Sequence, residues 1–167
     1  AFVEAEYIEL PDYIKTVGKC AFGGSRVKKA VINEKLVDIS EEIFQNCTNL
    51  QVVVLGGNVE KIEAAAFENC DSLETIVIPD KVNSIAGSAF TNANEELVIY
   101  CNEGSYAQTF ATNNSMKYTT LVLSAIPNQS YTGKAIEPQV SVSANGKELA
   151  LDSQYKLTFT ENRNKIY

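Results

Sequence analysis

The run Ile62-Glu-Ala-Ala-Ala-Phe67-Glu-Asn-Cys70-Asp-Ser-Leu73-Glu-Thr-Ile76-Val-Ile78-Pro79 decides the fold, because its apolar positions recur at a fixed period along the chain. Phe22, Phe44, Phe67 and Phe90 stand at intervals of 22, 23 and 23 residues. Eleven residues before them come Pro11, Asn33, Gly56 and Pro79, all turn formers. Two more columns keep step: Ile14, Leu36, Val59 and Val82, then Val17, Ile39, Ile62 and Ile85. Seventeen residues before each phenylalanine begins a β-branched stretch: Ala5 to Leu10, Val27 to Ile32, Leu50 to Leu55 and Leu73 to Ile78. These read as strands. Several columns in register over four periods imply a repeat array. One coil cannot bury its own apolar face, so the coils stack, with parallel strands ~4.8 Å apart.

Within Leu73-Glu-Thr-Ile-Val-Ile78 the apolar residues occupy offsets 0, 3 and 5, the L-x-x-L-x-L spacing, and Leu50, Val53 and Leu55 repeat it. Offsets 0, 3 and 5 therefore point inward, and offsets 1, 2 and 4 are left for the outer face. That face carries Lys29 and Val31, Val52 and Val54, then Thr75 and Val77, which are the candidate ligand-facing positions. A valine stripe of this kind serves either as a contact surface or simply as β-branched filling that suits a pleated strand.

Cys47 and Cys70 share one offset in consecutive coils, and Ala93 takes the slot in the third. That pattern reads as a small buried hydrophobe, which free cysteine commonly is. Cys20, Cys47, Cys70 and Cys101 contain no C-x-x-C spacing, and the chain has no histidine, so a zinc site is not expected.

After Phe90 the period drifts. Leu97-Val-Ile-Tyr100 predicts a last strand, and Phe110 arrives after only 20 residues. Gly104-Ser105 predicts the cap of a helix with Tyr106, Ala107, Phe110 and Ala111 on one face, stopped by Asn113-Asn114. Such a unit would close the array. At the other end Ala1 leads straight into a strand, so further repeats or a cap are expected upstream.

The unit from Ile62 to Pro79 resembles the BspA-like leucine-rich repeats of bacterial surface proteins, over roughly residues 5 to 118. Gly104-Ser-Tyr-Ala-Gln-Thr-Phe110-Ala is similar to the closing unit of such arrays. The first repeat departs from the pattern, with Gly24-Ser25 where Asn-Cys is usual and Val27 opening its strand. The resemblance implies a leucine-rich-repeat solenoid of 22–23-residue coils with short helical or irregular returns. It also implies a bacterial cell-surface or secreted location, and a non-enzymatic role in binding a protein or extracellular-matrix ligand.

From residue 119 the grammar changes to alternating Val140-Ser-Val142, a hairpin signal at Asn145-Gly146, and Tyr155-Lys-Leu157-Thr-Phe159. Ile126-Pro-Asn-Gln-Ser-Tyr131-Thr-Gly133 through Pro138 is similar to the opening of small bacterial immunoglobulin-like modules. A sandwich of that kind needs about 7 strands and this stretch supplies about four, so an incomplete or reduced module is expected. The expected division is a solenoid with its closing unit over 1–118 and an all-β immunoglobulin-like segment over 119–167.

Charge and composition narrow the function further. Hydrophobic residues make up 45% and charged residues 21%, as in a folded globular chain. Residues 1–117 hold nine Lys/Arg against seventeen Asp/Glu, or −8, while residues 118–167 hold five against four, or +1. An acidic solenoid repels phosphate backbones, so nucleic acid is not an expected partner. No apolar run approaches the ~20 residues that span a bilayer, so direct membrane insertion is not expected either.

Without histidine, Ser-His-Asp and Cys-His pairings are ruled out, and there is no G-x-S-x-G, phosphate loop or EF-hand loop. Glycosidases need only two carboxylates about 5 to 9.5 Å apart, but Glu41, Glu42, Glu60, Glu63 and Glu68 fall in the polar gaps between core columns. No catalytic residue, cofactor or metal is expected. Asn46-Cys-Thr48, Asn113-Asn-Ser115 and Asn128-Gln-Ser130 match the glycosylation acceptor pattern and read as coincidence in a bacterial chain. Two roles remain: a binding module at the cell surface, or an architectural spacer in a larger exported protein.

Overall fold

The computed structural model describes residues 6–123, 142–144 and 147–148. Two compact units form, over residues 1–120 and 121–167. In chain order the elements are β1 (Tyr7–Glu9), β2 (Lys29–Val31), β3 (Asp38–Ile39), β4 (Val52–Val54), β5 (Lys61–Ile62), β6 (Thr75–Val77), β7 (Ser84–Ile85), β8 (Val98–Asn102), α1 (Tyr106–Asn113), β9 (Lys117–Leu123), β10 (Val142–Ala144) and β11 (Lys147–Glu148).

The first unit is a parallel-strand solenoid. β1, β2, β4, β6 and β8 pair in that order with one-to-one register, so that Tyr7, Lys29, Val52, Thr75 and Val98 stand side by side. The central residues Ile8, Ala30, Val53, Ile76 and Ile99 point into the core. Strands are three residues long in the middle coils, shorter than the apolar stretches predict, because the flanking buried residues turn the chain towards the next side of the coil. The column Val17, Ile39, Ile62 and Ile85 contributes a second parallel sheet, β3-β5-β7, which the periodicity marks as core but does not mark as strand.

Tight turns make up the corner that follows the second sheet, and there each coil repeats the last. Phe22, Phe44, Phe67 and Phe90 stack with ring centroids 5.2, 5.8 and 5.4 Å apart and planes within 17°. Offset stacking at this spacing adds to the area each ring buries. Two residues on, Gly24, Asn46, Asn69 and Asn92 take left-handed φ values of 66, 61, 56 and 52°. Only glycine and short polar side chains enter that region at low cost, which explains why glycine substitutes for asparagine in the first coil. The asparagines also join one another: Asn69 Nδ2 donates to Asn46 Oδ1 at 2.8 Å, and Asn92 Nδ2 to Asn69 Oδ1 at 3.1 Å.

The next position is the cysteine slot, as the spacing predicts, occupied by Ser25, Cys47, Cys70 and Ala93. Each thiol donates to the phenylalanine carbonyl of the preceding coil, Cys47 to Phe22 at 3.0 Å and Cys70 to Phe44 at 3.2 Å. Ser25 fills the slot in the first coil and lies 3.4 Å from Cys47 Sγ. Burial pushes the Cys47 thiol up and the Cys70 thiol up to about 12, so both remain neutral donors. Cys101 is buried on β8.

The turn column Pro11, Asn33, Gly56, Pro79 is less uniform. Asn33 is buried, and its Nδ2 donates to the carbonyls of Pro11 and Ile14 at 2.5 and 2.9 Å while its Oδ1 accepts from the N–H groups of Lys35 and Leu36. A Cβ at Gly56 would lie 2.1 Å from the Asn33 carbonyl oxygen, so the chain passes there only as glycine.

α1 lies over the last coil. Ser105 caps it, its hydroxyl accepting from the Gln108 N–H at 3.2 Å, and Asn114 ends it. Ala107, Phe110 and Ala111 are buried, but Tyr106 is 44% exposed. At 100° per residue the buried arc centres near Ala107, which leaves Tyr106 at its edge.

In the second unit, residues 121–123 of β9 pair antiparallel with β10, and β10 pairs antiparallel with β11, on either side of residues 145 and 146. The expected module opening from Ile126 to Pro138, the hairpin residues Asn145 and Gly146, the strand Tyr155 to Phe159 and the strand start at Ala5 lie outside the described residues.

Candidate partner-binding face

Two columns of side chains cover the outward face of the main sheet. One runs Tyr7, Lys29, Val52, Thr75, Val98 and the other Glu9, Val31, Val54, Val77, Tyr100. All six residues expected to face outward lie on it. Lys29 is exposed, and Val31, Val52, Val54, Thr75 and Val77 are half-buried by their neighbours in the columns. Neighbouring coils thus cover one another's flanks and leave the tips exposed.

The face extends one coil beyond the expectation on each side. Tyr7 and Glu9 stand at the same offsets in β1, and counting back one period from Lys29 and Val31 finds them. Val98 and Tyr100 stand one period of 23 residues after Thr75 and Val77, and the same count finds them although Leu97 enters the core one residue late. At the β1 end the Tyr7 hydroxyl donates to Glu9 at 2.8 Å, and that bond, with the nearby carboxylate charge, raises the phenol above its usual range. The Lys29 ammonium sits 5.8 Å from the centre of the Tyr7 ring. The face is therefore a valine and threonine floor between an aromatic and charged cluster at one end and Tyr100 at the other.

Chemically this arrangement can bind. Among the described residues no group of three or more His, Cys, Asp or Glu could hold a metal ion, and no helix is long and apolar enough to cross a membrane. One thiol–carboxylate pair lies on the surface: Cys20 Sγ donates to Glu42 at 2.8 Å, with Lys19 bridging Glu41 and Glu42 at 3.0 and 3.1 Å. Its electrostatics run against nucleophilic use, since the hydrogen bond to Glu42 raises the thiol, whereas a reactive cysteine needs a lowered one.

Comparison with known proteins agrees with this geometry. A family model described as the BspA type leucine rich repeat region matches residues 1–97, in six copies. No curated protein matches the chain. Among solved structures, a leucine-rich repeat protein from Bacteroides capillosus is similar at 23% identity with a TM-score of 0.53, over 60% of this chain and 79% of that one. A T. pallidum leucine rich repeat protein is similar at 22% identity and a TM-score of 0.49, over 59% of each chain. A leucine rich cell surface protein from Faecalibacterium prausnitzii gives 18% identity and a TM-score of 0.49 over 70% of this chain, which spans 36% of that protein.

Proposed function

The chain belongs to the BspA-type leucine-rich repeat family, and from that premise we propose that it is a non-enzymatic binding module of the bacterial cell surface. The ligand in this reading is a protein or extracellular-matrix component, held on the outward face of the main sheet. Leucine-rich-repeat solenoids offer extended regular surfaces of this kind to protein partners. The observation that carries the reading is the register of β1, β2, β4, β6 and β8. It aligns Val31, Val54 and Val77 into one uninterrupted apolar column, with Val52, Thr75 and Val98 beside it. Fitting the pleat alone would be met as well by threonine, as at Thr75.

In the same reading residues 119–167 are an incomplete or reduced immunoglobulin-like module. The test is binding of the whole chain to host cells and to a panel of immobilised matrix proteins. A Val31→Thr, Val54→Thr, Val77→Thr triple variant that stays folded should lose the binding. Unchanged binding would exclude this face, and the absence of any binding by the parent chain would favour the spacer role.

A further inference from the structure

The corner ladder is interrupted at the fourth coil. In each of the first three coils, two N–H groups at the corner donate to the carbonyls that bracket the next phenylalanine. Phe22 and Gly24 reach Ile43 and Gln45 at 2.9 and 2.8 Å, Phe44 and Asn46 reach Ala66 and Glu68 at 2.9 Å each, and Phe67 and Asn69 reach Ala89 and Thr91 at 2.8 and 3.0 Å. The fourth corner keeps the left-handed residue after the phenylalanine, Asn92 at φ 52°, but Ser88 lacks the positive φ that Cys20, Glu42 and Ala65 take before it. Yet among the described residues no carbonyl accepts the N–H of Phe90 or Asn92.

The closing unit accounts for this. Ser115 keeps the left-handed position at φ 54°, 23 residues after Asn92, but the position that would carry phenylalanine is Asn113, at the end of α1. Phe110 substitutes three residues early, and its ring is tilted 53° from Phe90 at 6.1 Å, where the earlier pairs are nearly parallel. A cleft of about 360 Å³ opens beside it, lined on one part by Phe90, Leu97, Phe110 and Met116 and on the other by polar residues that include Asn94 and Glu95.

We propose that this cleft binds a peptide segment of a partner protein carrying an aromatic side chain between two accepting carbonyls, in the turn conformation of the repeat's own corner. The cleft is continuous with the coil-to-coil interface that runs through Phe22, Phe44, Phe67 and Phe90. Everywhere else that interface is filled by an x-Phe-x segment whose two flanking carbonyls take the two N–H groups. At the fourth corner both donors are in place and the segment is not. A phenylalanine or tyrosine ring would pack against the edges of Phe90 and Phe110 that reach the cleft, each ring being 9% exposed, and its neighbours' carbonyls would meet the Phe90 and Asn92 N–H groups. The site is separate from the outward sheet face and does not depend on it.

The test is a nuclear magnetic resonance titration of the full chain with a capped peptide copying residues 64–71, with Cys70→Ser in the peptide. Binding should shift the Phe90 and Asn92 amides downfield, slow their exchange with solvent, and move the methyl signal of Met116, the single methionine. The same peptide with Phe67→Ala should bind at least about tenfold more weakly, as expected for the loss of one buried ring. In the protein, Thr91→Trp at the exposed rim should weaken the parent peptide by a similar factor while leaving signals of the sheet face in place. The proposal is overturned if no shift appears at millimolar peptide, or if the Phe67→Ala peptide binds as well. It is equally overturned if the Phe90 and Asn92 amides are already protected in the free chain. Shifts confined to Val31, Val54 and Val77 would overturn the cleft and support the sheet face instead.

Discussion

At the corner the residues in register are Phe22, Phe44, Phe67 and Phe90, while on the sheet face they are Tyr7, Lys29, Val52, Thr75 and Val98. Both columns are produced by the same period. The corner repeats because a ring, a left-handed asparagine and a thiol each complete a bond or contact with the equivalent group one coil away. A change there breaks contacts with coils on both sides. The sheet face holds the coils through its backbone pairing and through side chains that cover only one another's flanks, so those side chains differ from one coil to the next more freely. The difference teaches where to look for recognition in a repeat fold: in the columns whose side-chain tips solvent reaches while the register stays fixed.

The harshest way to test this contrast is Phe67→Ala, which removes a fully buried ring stacked between two others. It should cost about 3 to 5 kcal/mol in a denaturant melt, while Glu63→Ala, at an exposed position, should leave the midpoint nearly unchanged. Equal stability of the two variants would mean that core and surface have been assigned in the wrong register.

Alkali tests the thiol of the same corner. Burial disfavours the thiolate and pushes the folded Cys70 thiol from its ordinary value of 9.0 up to about 12. A raised folded value means that the unfolded chain loses its proton first. The contribution is therefore fully present below about pH 9 and is lost as pH rises towards 12, up to about 4 kcal/mol across the window. Cys70→Ala should be less stable at neutral pH, and its stability should fall less steeply than the parent's between pH 9 and 12. Parallel slopes in pH-dependent melts would remove the thiol from the account.

Asn69 separates backbone from side chain. Asn69→Ala forces alanine into a φ of 56° and breaks both links of the asparagine ladder, and should cost about 1 to 3 kcal/mol. Asn69→Gly keeps the backbone free and loses only the links, as Gly24 does naturally, so it should recover part of the loss. If Gly proved no better than Ala, the conformation would not be what selects asparagine at this position.

The mildest expected effect on stability belongs to the sheet face. Val31→Thr, Val54→Thr and Val77→Thr keep β-branching at half-buried positions, so the triple variant should lose no more than about 1 to 2 kcal/mol, less than Phe67→Ala alone. A loss as large as that of Phe67→Ala would show that the face carries structural load and would erase the contrast between the two regions.

Much of this was legible in the residues. The phenylalanine interval placed the coils, the L-x-x-L-x-L offsets sorted inward from outward strand positions, and the shared offset of Cys47 and Cys70 marked a core slot. Each of these follows from local geometry: alternation along a strand and repetition at a fixed period need no knowledge of what lies across the core. The second sheet, β3-β5-β7, was not legible, since two-residue strands have no periodicity of their own and exist only through pairing with the next coil. Nor were the roles of Asn33 and Gly56, which depend on a close approach between neighbouring coils. Cys20 shows the same limit, since it lies exposed beside Glu42, outside the cysteine slot.

The sequence by itself determined that the chain stacks as coils, which residues fill the core columns, and that Phe110 arrives too early to continue the ladder. Only the tertiary structure decided what that early arrival does. Whether a displaced ring closes the stack or leaves it open depends on its tilt against Phe90 and on whether the corner's N–H groups still meet carbonyls. Those are distances between segments about 20 residues apart, set by the packing of α1 against the last coil, and no pattern along the chain encodes them.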